Sequence, residues 1–282
     1  MFYGLLAALG WGTADLAAAL SGRRIGSYLT AGIAQVVSLA LLFAMGLALG
    51  QHFHAQGPEV AMLLANGMVA AAAYIALYRS LELGPVALVS PIVAAYAAIS
   101  ILLAMIFLHE SMTGVALVGA VVTLGGAMLS STDVKLLRSG QKLFGTGVRW
   151  AFASMLLFGV ATFILGHYSQ RIGWFSASVL SRIGNVAGVL AFLFLVRRGL
   201  PRHPRLAGCA LAALVGIADV IGVAAYARGT ELGLVTVVSA ASAAFILIPV
   251  IGGLVIFHER PAPLQMAGVA LVGLGLTLLA LG

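Results

Sequence analysis

Three charged side chains stand in apolar surroundings: Asp15 in WGTAD, Arg182 in LSRIGN and Asp219 in GIADV. In a membrane span an ionisable side chain is costly, so it marks function by default. A carboxyl there could accept and release a proton, which makes Asp15 and Asp219 the proton-coupling candidates. A guanidinium could hold a substrate carboxylate with its planar fork. The competing reading is an internal ion pair, Arg182 with Asp15 or Asp219, that only fixes helix positions. Asn185 joins the set as a polar residue near Arg182, and Trp11 and Tyr74 as mid-span rings that could stack on a substrate. The expected substrate-binding set is therefore Trp11, Asp15, Tyr74, Arg182, Asn185 and Asp219. Asn66, His167 and Gln35 follow; for these, and for Asn185 taken singly, hydrogen bonding between helices is the better reading. Tyr78, Tyr96 and Phe158 are further ring candidates, although Tyr78, near a span end, suits an interfacial belt equally well.

Other chemistries find little support. His52 and His54 form an HxH, but no Cys or carboxylate arrangement surrounds them, so no metal site is expected. Gly-rich phosphate loops, HExxH and GxSxG are absent, so no cofactor and no ATP-driven step is expected. Cys209 is alone, which rules out a disulfide framework. The pair His109–Glu110 interrupts a long apolar run, and it recurs as His258–Glu259. The recurrence makes the pair a span end and a turn into the next helix rather than a catalytic dyad, with a gating role for the glutamates still open.

The elements that must position these residues are written in the composition. Of the 282 residues, 62% are hydrophobic and 8% charged, whereas a soluble domain carries about 25% charged residues. The apolar residues fall in runs of about 20, enough to cross a hydrocarbon core of ~30 Å. Lipid admits such segments only as helices, since unpaired backbone groups cost too much there. Ten spans are expected, at roughly 2–20, 28–49, 59–80, 85–107, 112–131, 145–170, 174–197, 206–228, 233–257 and 263–281. The first of them lacks a basic leader and carries Asp15, so it reads as a retained span rather than a signal peptide. Pro91 and Pro249 fall inside the fourth and ninth spans and predict kinks there.

The net charge of +7 would suggest nucleic acid in a soluble chain. Here the basic residues sit in a few loops, so the partner they imply is the lipid bilayer and not a nucleic acid. Arg23 and Arg24, then Lys135, Arg138, Lys142 and Arg149, then Arg197, Arg198, Arg202 and Arg205 all fall on one side; the other side offers Arg171 and Arg228. Positive residues favour the cytoplasmic face. The expectation is a multi-pass protein of the cell (inner) membrane with both termini outside.

The second half echoes the first. ELGPVALVS at 82–90 aligns with ELGLVTVVS at 231–239, an offset of 149 that also places His109 on His258 and Glu110 on Glu259. Thirteen of the 45 positions from 82 to 126 are identical at that offset. Near the start the offset is 147, facing Asp15 with Thr162 and Gln35 with Arg182. Each copy holds five spans, and an odd number turns the second copy over. The fold class expected is thus an all-α integral membrane protein of two inverted five-helix repeats, at 1–131 and 145–282, joined by a cytoplasmic linker at 132–144. Many secondary transporters have this architecture, with substrate bound near the midplane between halves.

The chain resembles the EamA-like branch of the drug/metabolite transporter superfamily, through its two five-span halves, WG within span 1, LELG before span 4, and a glutamate after spans 4 and 9 followed by a Gly-rich closing helix. The resemblance covers nearly the whole chain. It implies a basket of ten helices, the first four of each half lining a central cavity and the fifth and tenth outside it. It also implies movement of small metabolites, often export of amino acids or drugs. The family commonly has an arginine early in span 2; here that position is Gln35, and the arginine survives in the second half as Arg182. Its presence across members with different substrates favours the structural role for Arg182. The function expected is a secondary transporter of a small organic metabolite, working by alternating access and coupled to protons. Two other classes remain: a membrane-embedded enzyme on a lipid-linked substrate, and a non-transporting membrane subunit.

Overall fold

Apolar runs without backbone partners in lipid must close their hydrogen bonds locally, and they do so here as helices. The computed structural model describes residues 1–110, 113–130, 146–196 and 204–281, and among these every regular element is helical. In chain order they are α1 (Phe2–Ile25), α2 (Ser27–Ala48), α3 (Gly57–Leu83), α4 (Val86–Ala94), α5 (Tyr96–Leu108), α6 (Gly114–Ser130), α7 (Thr146–Ile172), α8 (Trp174–Val196), α9 (Leu206–Leu232), α10 (Val235–Ser242), a 3₁₀ turn (Ala243–Ile246), α11 (Leu247–Val255) and α12 (Pro263–Leu281). Eight stretches are long and apolar enough to cross a membrane, counting Val86–Leu108 and Val235–Val255 as one each. Gly114–Ser130 and Pro263–Leu279 are shorter apolar helices. The expected linker 132–144, the ends of the fifth expected span at 112 and 131, and Lys135, Arg138, Lys142, Arg197, Arg198 and Arg202 lie outside the described residues.

The fourth and ninth expected spans are each broken. One breaks between α4 and α5 at Ala95, the other at Ala243–Ile246, and the two breaks coincide at the offset of 149. Pro249 accounts for the second: it has no N–H for the carbonyl of Phe245 and its ring crowds that turn. The first break lies one turn beyond Pro91 rather than before it, so proline geometry alone does not explain it. What the breaks share is a ring: Tyr96 and Phe245 stack on each other, centroids 6.1 Å apart at 25°.

Helix ends follow from a few residues. Gly26 and Gly173 both adopt φ 86°, a region that L side chains rarely enter. Each lets the next helix begin at once. His109 and His258 adopt φ 54° and 52°, the left-handed conformation that stops a helix. Each is followed by its glutamate, and each glutamate reaches the opposite half. The Glu110 carboxylate accepts the backbone N–H groups of Val235 and Thr236, at 3.0 and 2.9 Å. The Glu259 carboxylate accepts those of Val86 and Ala87, at 2.8 and 2.7 Å. These are the first N–H groups of α10 and α4, which have no partner inside their own helices.

Packing is close where glycines meet. α6 and α12 run antiparallel, Gly119 against Gly275 and Gly126 against Gly268. A Cβ on Gly126 would lie 2.6 Å from the backbone of Val272. α3 and α8 approach at Gly67 and Gly184, and α1 and α9 at Gly10 and Gly222. Large apolar side chains such as Leu9, Leu47, Leu156 and Leu274 are exposed on the outside, the pattern of a surface solvated by lipid rather than water.

Candidate functional site

The polar residues that lipid would penalise converge on one interior cavity, with about 780 Å³ of atom-free space including its mouth. All six residues of the expected substrate-binding set line it: Trp11, Asp15, Tyr74, Arg182, Asn185 and Asp219. Asn66, Tyr78, Tyr96 and Phe158 line it as well. His167 does not; it lies between Phe163 and Tyr168, away from the cavity. Gln35 is fully buried behind the wall. His52 and His54 sit beside a separate cleft with Trp174 and Glu231, and among the described residues no group of three or more His, Cys, Asp or Glu is placed to hold a metal ion.

One wall is a network tying four helices together. Arg182 on α8 and Asp219 on α9 form an ion pair at 2.9 Å, exposed 4% and 1%. Asp219 also accepts the Tyr74 hydroxyl of α3 at 2.5 Å and the Ser38 hydroxyl of α2 at 3.0 Å. Arg182 also donates to Oε1 of Gln35, and its guanidinium stands over the Tyr74 ring, 5.5 Å from the centroid. Gln35 in turn donates to the Tyr78 hydroxyl at 3.5 Å. A buried ion pair recovers its desolvation cost only when further hydrogen bonds satisfy both partners, and here they do. Of the two arrangements the sequence allowed, the partner of Arg182 is Asp219 and not Asp15.

Elsewhere the lining is only partly spent: Asn66 Nδ2 donates to the Ala161 carbonyl and the Ser181 hydroxyl, and Tyr96 pairs with Ser242. No hydrogen bond or ion pair from the described residues reaches Asp15, which is 5% exposed. Five buried polar atoms on cavity residues lack a partner among the described residues: Trp11 Nε1, Asn66 Oδ1, Ser178 Oγ, and both Nδ2 and Oδ1 of Asn185. Buried polar atoms are normally paired, so a cluster of unpaired ones around a void is a place for a ligand or water. An aromatic floor completes it. Trp11 meets Tyr96 edge to face at 6.2 Å, Phe158 meets Tyr74 at 4.9 Å, and Phe245 stacks on Tyr96.

The cavity draws on equivalent positions of the two halves. Trp11 and Phe158, Asp15 and Thr162, Ala70 and Asp219, Tyr74 and Val223, and Tyr96 and Phe245 all line it, at offsets of 147 or 149. Sequence reasoning missed Thr162, Ser178 and Phe245. The repeat was the signal that could have found two of them: Phe245 is the image of Tyr96, and Thr162 that of Asp15. Ser178 offers no such signal, because serine is common in buried helices.

The sequence pattern of the EamA-like transporter family matches residues 1–132 and 145–281. No curated protein matches the chain significantly in sequence. One solved crystal structure of a protein shares the fold, with a TM-score of 0.74 at 18% identity, covering 99% of this chain and 96% of the other. The chain therefore belongs to the EamA-like transporter family, in the drug/metabolite transporter superfamily, and is a multi-pass membrane protein.

Proposed function

We propose that this EamA-like family member is a secondary transporter that carries a small organic metabolite through the cavity by alternating access between two inverted five-helix halves. The observation that carries the reading is the cavity itself: interior, at the meeting of equivalent positions, and lined in part by buried polar atoms that have no partner among the described residues. The inverted arrangement is supported by reciprocity. α6 and α12, equivalent in sequence, pack antiparallel through equivalent glycines. Glu110 caps α10 as Glu259 caps α4, each carboxylate reaching into the other half. The two stretches matched by the family pattern fall on the two halves. Broken helices at the centre of such repeats are a transporter device, exposing backbone where a substrate binds.

Coupling to protons runs through Asp15 in this reading. Asp219 is committed to Arg182, Tyr74 and Ser38, while Asp15 faces the cavity with no partner. Arg182 acts as a structural residue, holding Asp219 and Gln35. The basic end of the molecule faces the cytoplasm: Arg23, Arg24, Arg79, Arg149, Arg205 and Arg260 lie at one end, Arg171 and Arg228 at the other. Both termini then face outward, in the inner membrane, and export is the working direction.

The test is reconstitution in liposomes with a panel of amino acids, sugars and cationic drugs. Flux of at least one solute through folded protein is expected. Absence of flux for the whole panel, with the protein folded, overturns the reading.

A further inference from the structure

We propose that the cavity selects a small organic cation, a primary or secondary ammonium carrying a neutral hydrogen-bonding group, and that Asp15 holds the ammonium. The proposal rests on the transport reading and narrows its substrate.

Asp15, Arg182 and Asp219 supply the formal charges of the lining. Arg182 and Asp219 cancel at 2.9 Å, and the remaining capacity of Asp219 is taken by two hydroxyls. One formal negative charge is left over, on Asp15, which is 5% exposed. A carboxylate so placed is favourable only with a cation beside it or a proton on it. A solute with a negative group is excluded on the same count. The guanidinium that could bind it is already held by Asp219 and Gln35 and covered by Tyr74, and two carboxylates share the space. The rings refine the choice: Trp11, Tyr96, Phe158 and Phe245 surround the cavity, and aromatic faces attract organic cations that shed water easily. A small inorganic cation, strongly hydrated, gains less there.

The unspent atoms describe the rest of the solute. Trp11 Nε1 and Asn185 Nδ2 can only donate; Asn66 Oδ1 and Asn185 Oδ1 can only accept. An ammonium N–H can serve the two acceptors, and an amide carbonyl or hydroxyl a few bonds away can serve the two donors. An amino acid amide carries both groups. The free amino acid would bring a carboxylate into a lining that already holds those of Asp15 and Asp219.

The test compares three solutes of nearly equal shape: leucinamide, leucine and 2-hydroxy-4-methylpentanamide, which are a cation, a zwitterion and a neutral amide at pH 7. Binding to the purified full-length protein is measured by calorimetry at fixed pH, and uptake is measured in proteoliposomes. Leucinamide is expected to bind at least about tenfold more tightly than either comparator, the share of one charge-assisted contact. Asp15→Asn should abolish that preference, and Asp15→Glu, which keeps the charge, should retain it. Thermal melting establishes that both variants are folded; if Asp15→Asn does not fold, the three-solute ranking and Asp15→Glu decide alone. Equal or tighter binding of leucine or of the neutral amide overturns the proposal, as does a folded Asp15→Asn with unchanged preference. Uptake of leucine or the neutral amide in preference to leucinamide would sink the cation assignment while leaving transport standing. Failure of the whole solute panel to bind or move would sink both.

Discussion

Asp15 and Asp219 look alike in the sequence, each a lone carboxylate in an apolar run, and the structure separates them by their partners. Asp219 is bound by three side chains and sits at 1% exposure; among the described residues Asp15 is bound by none. Removing one partner of a buried pair leaves an uncompensated charge, a cost of about 3–5 kcal/mol. Asp219→Ala should therefore lower stability by that order, while Asp15→Asn, which breaks no contact, should change it by less than about 1 kcal/mol. Denaturant or thermal unfolding in detergent measures both. A destabilisation of Asp15→Asn as large as that of Asp219→Ala would show that Asp15 has a structural partner. The positions of these residues were legible in the sequence for a physical reason. Lipid penalises polar groups so heavily that nearly every one placed mid-span must face the interior. Which carboxylate Arg182 would choose was not legible, because the choice depends on the distances between α8, α9 and α1, and no local pattern encodes those.

At the scale of elements, eight membrane-length helices were readable from apolar runs, with two shorter apolar helices where the fifth and tenth spans were expected, but the interruptions were only half readable. Pro249 announces the break at Ala243–Ile246, whereas the break at Ala95 owes nothing evident to Pro91. The His–Glu pairs were readable as span ends. Their second task was not, because it needs the other half of the chain: each glutamate supplies the cap that α4 or α10 lacks. A carboxylate on the first N–H groups of a helix is favoured by both hydrogen bonding and the helix dipole. Glu110→Ala and Glu259→Ala should each cost about 1–2 kcal/mol. Glu259 also pairs with Arg23 at 3.4 Å, but Arg23 is 36% exposed. That pair should add under ~1 kcal/mol, so the two glutamate variants should melt within a few degrees of each other and Arg23→Ala should melt near the parent. A much larger loss for Glu259→Ala would mean the ion pair, not the cap, dominates. Close helix approach makes a further demand at Gly126, where a Cβ would meet the Val272 backbone at 2.6 Å. Gly126→Leu should separate α6 from α12 and cost about 2 kcal/mol or more, read as a lowered melting temperature.

For the whole molecule, the repeat visible at offsets of 147 and 149 reappears as paired contacts: Gly26 with Gly173 as turn residues, Glu110 with Glu259 as caps, Tyr96 with Phe245 stacked at the centre. Under the proposed inverted arrangement, symmetry of this kind would give the molecule two alternative mouths. The departures from it, Asp15 against Thr162 and Arg182 against Gln35, give the cavity its chemistry. The proposed orientation is tested by labelling: in a Cys209→Ala background, single cysteines replacing Arg24 and Arg260 should react with an impermeant maleimide only from the cytoplasmic side, and one replacing Arg228 only from outside; the reverse pattern would invert the topology. The most direct measurement of the account is solute flux in proteoliposomes under an imposed pH gradient, parent beside Asp15→Asn. The account predicts gradient-driven flux of a small organic solute by the parent and its loss in Asp15→Asn. Absence of flux in folded parent protein, or the same pH dependence in both, would contradict it.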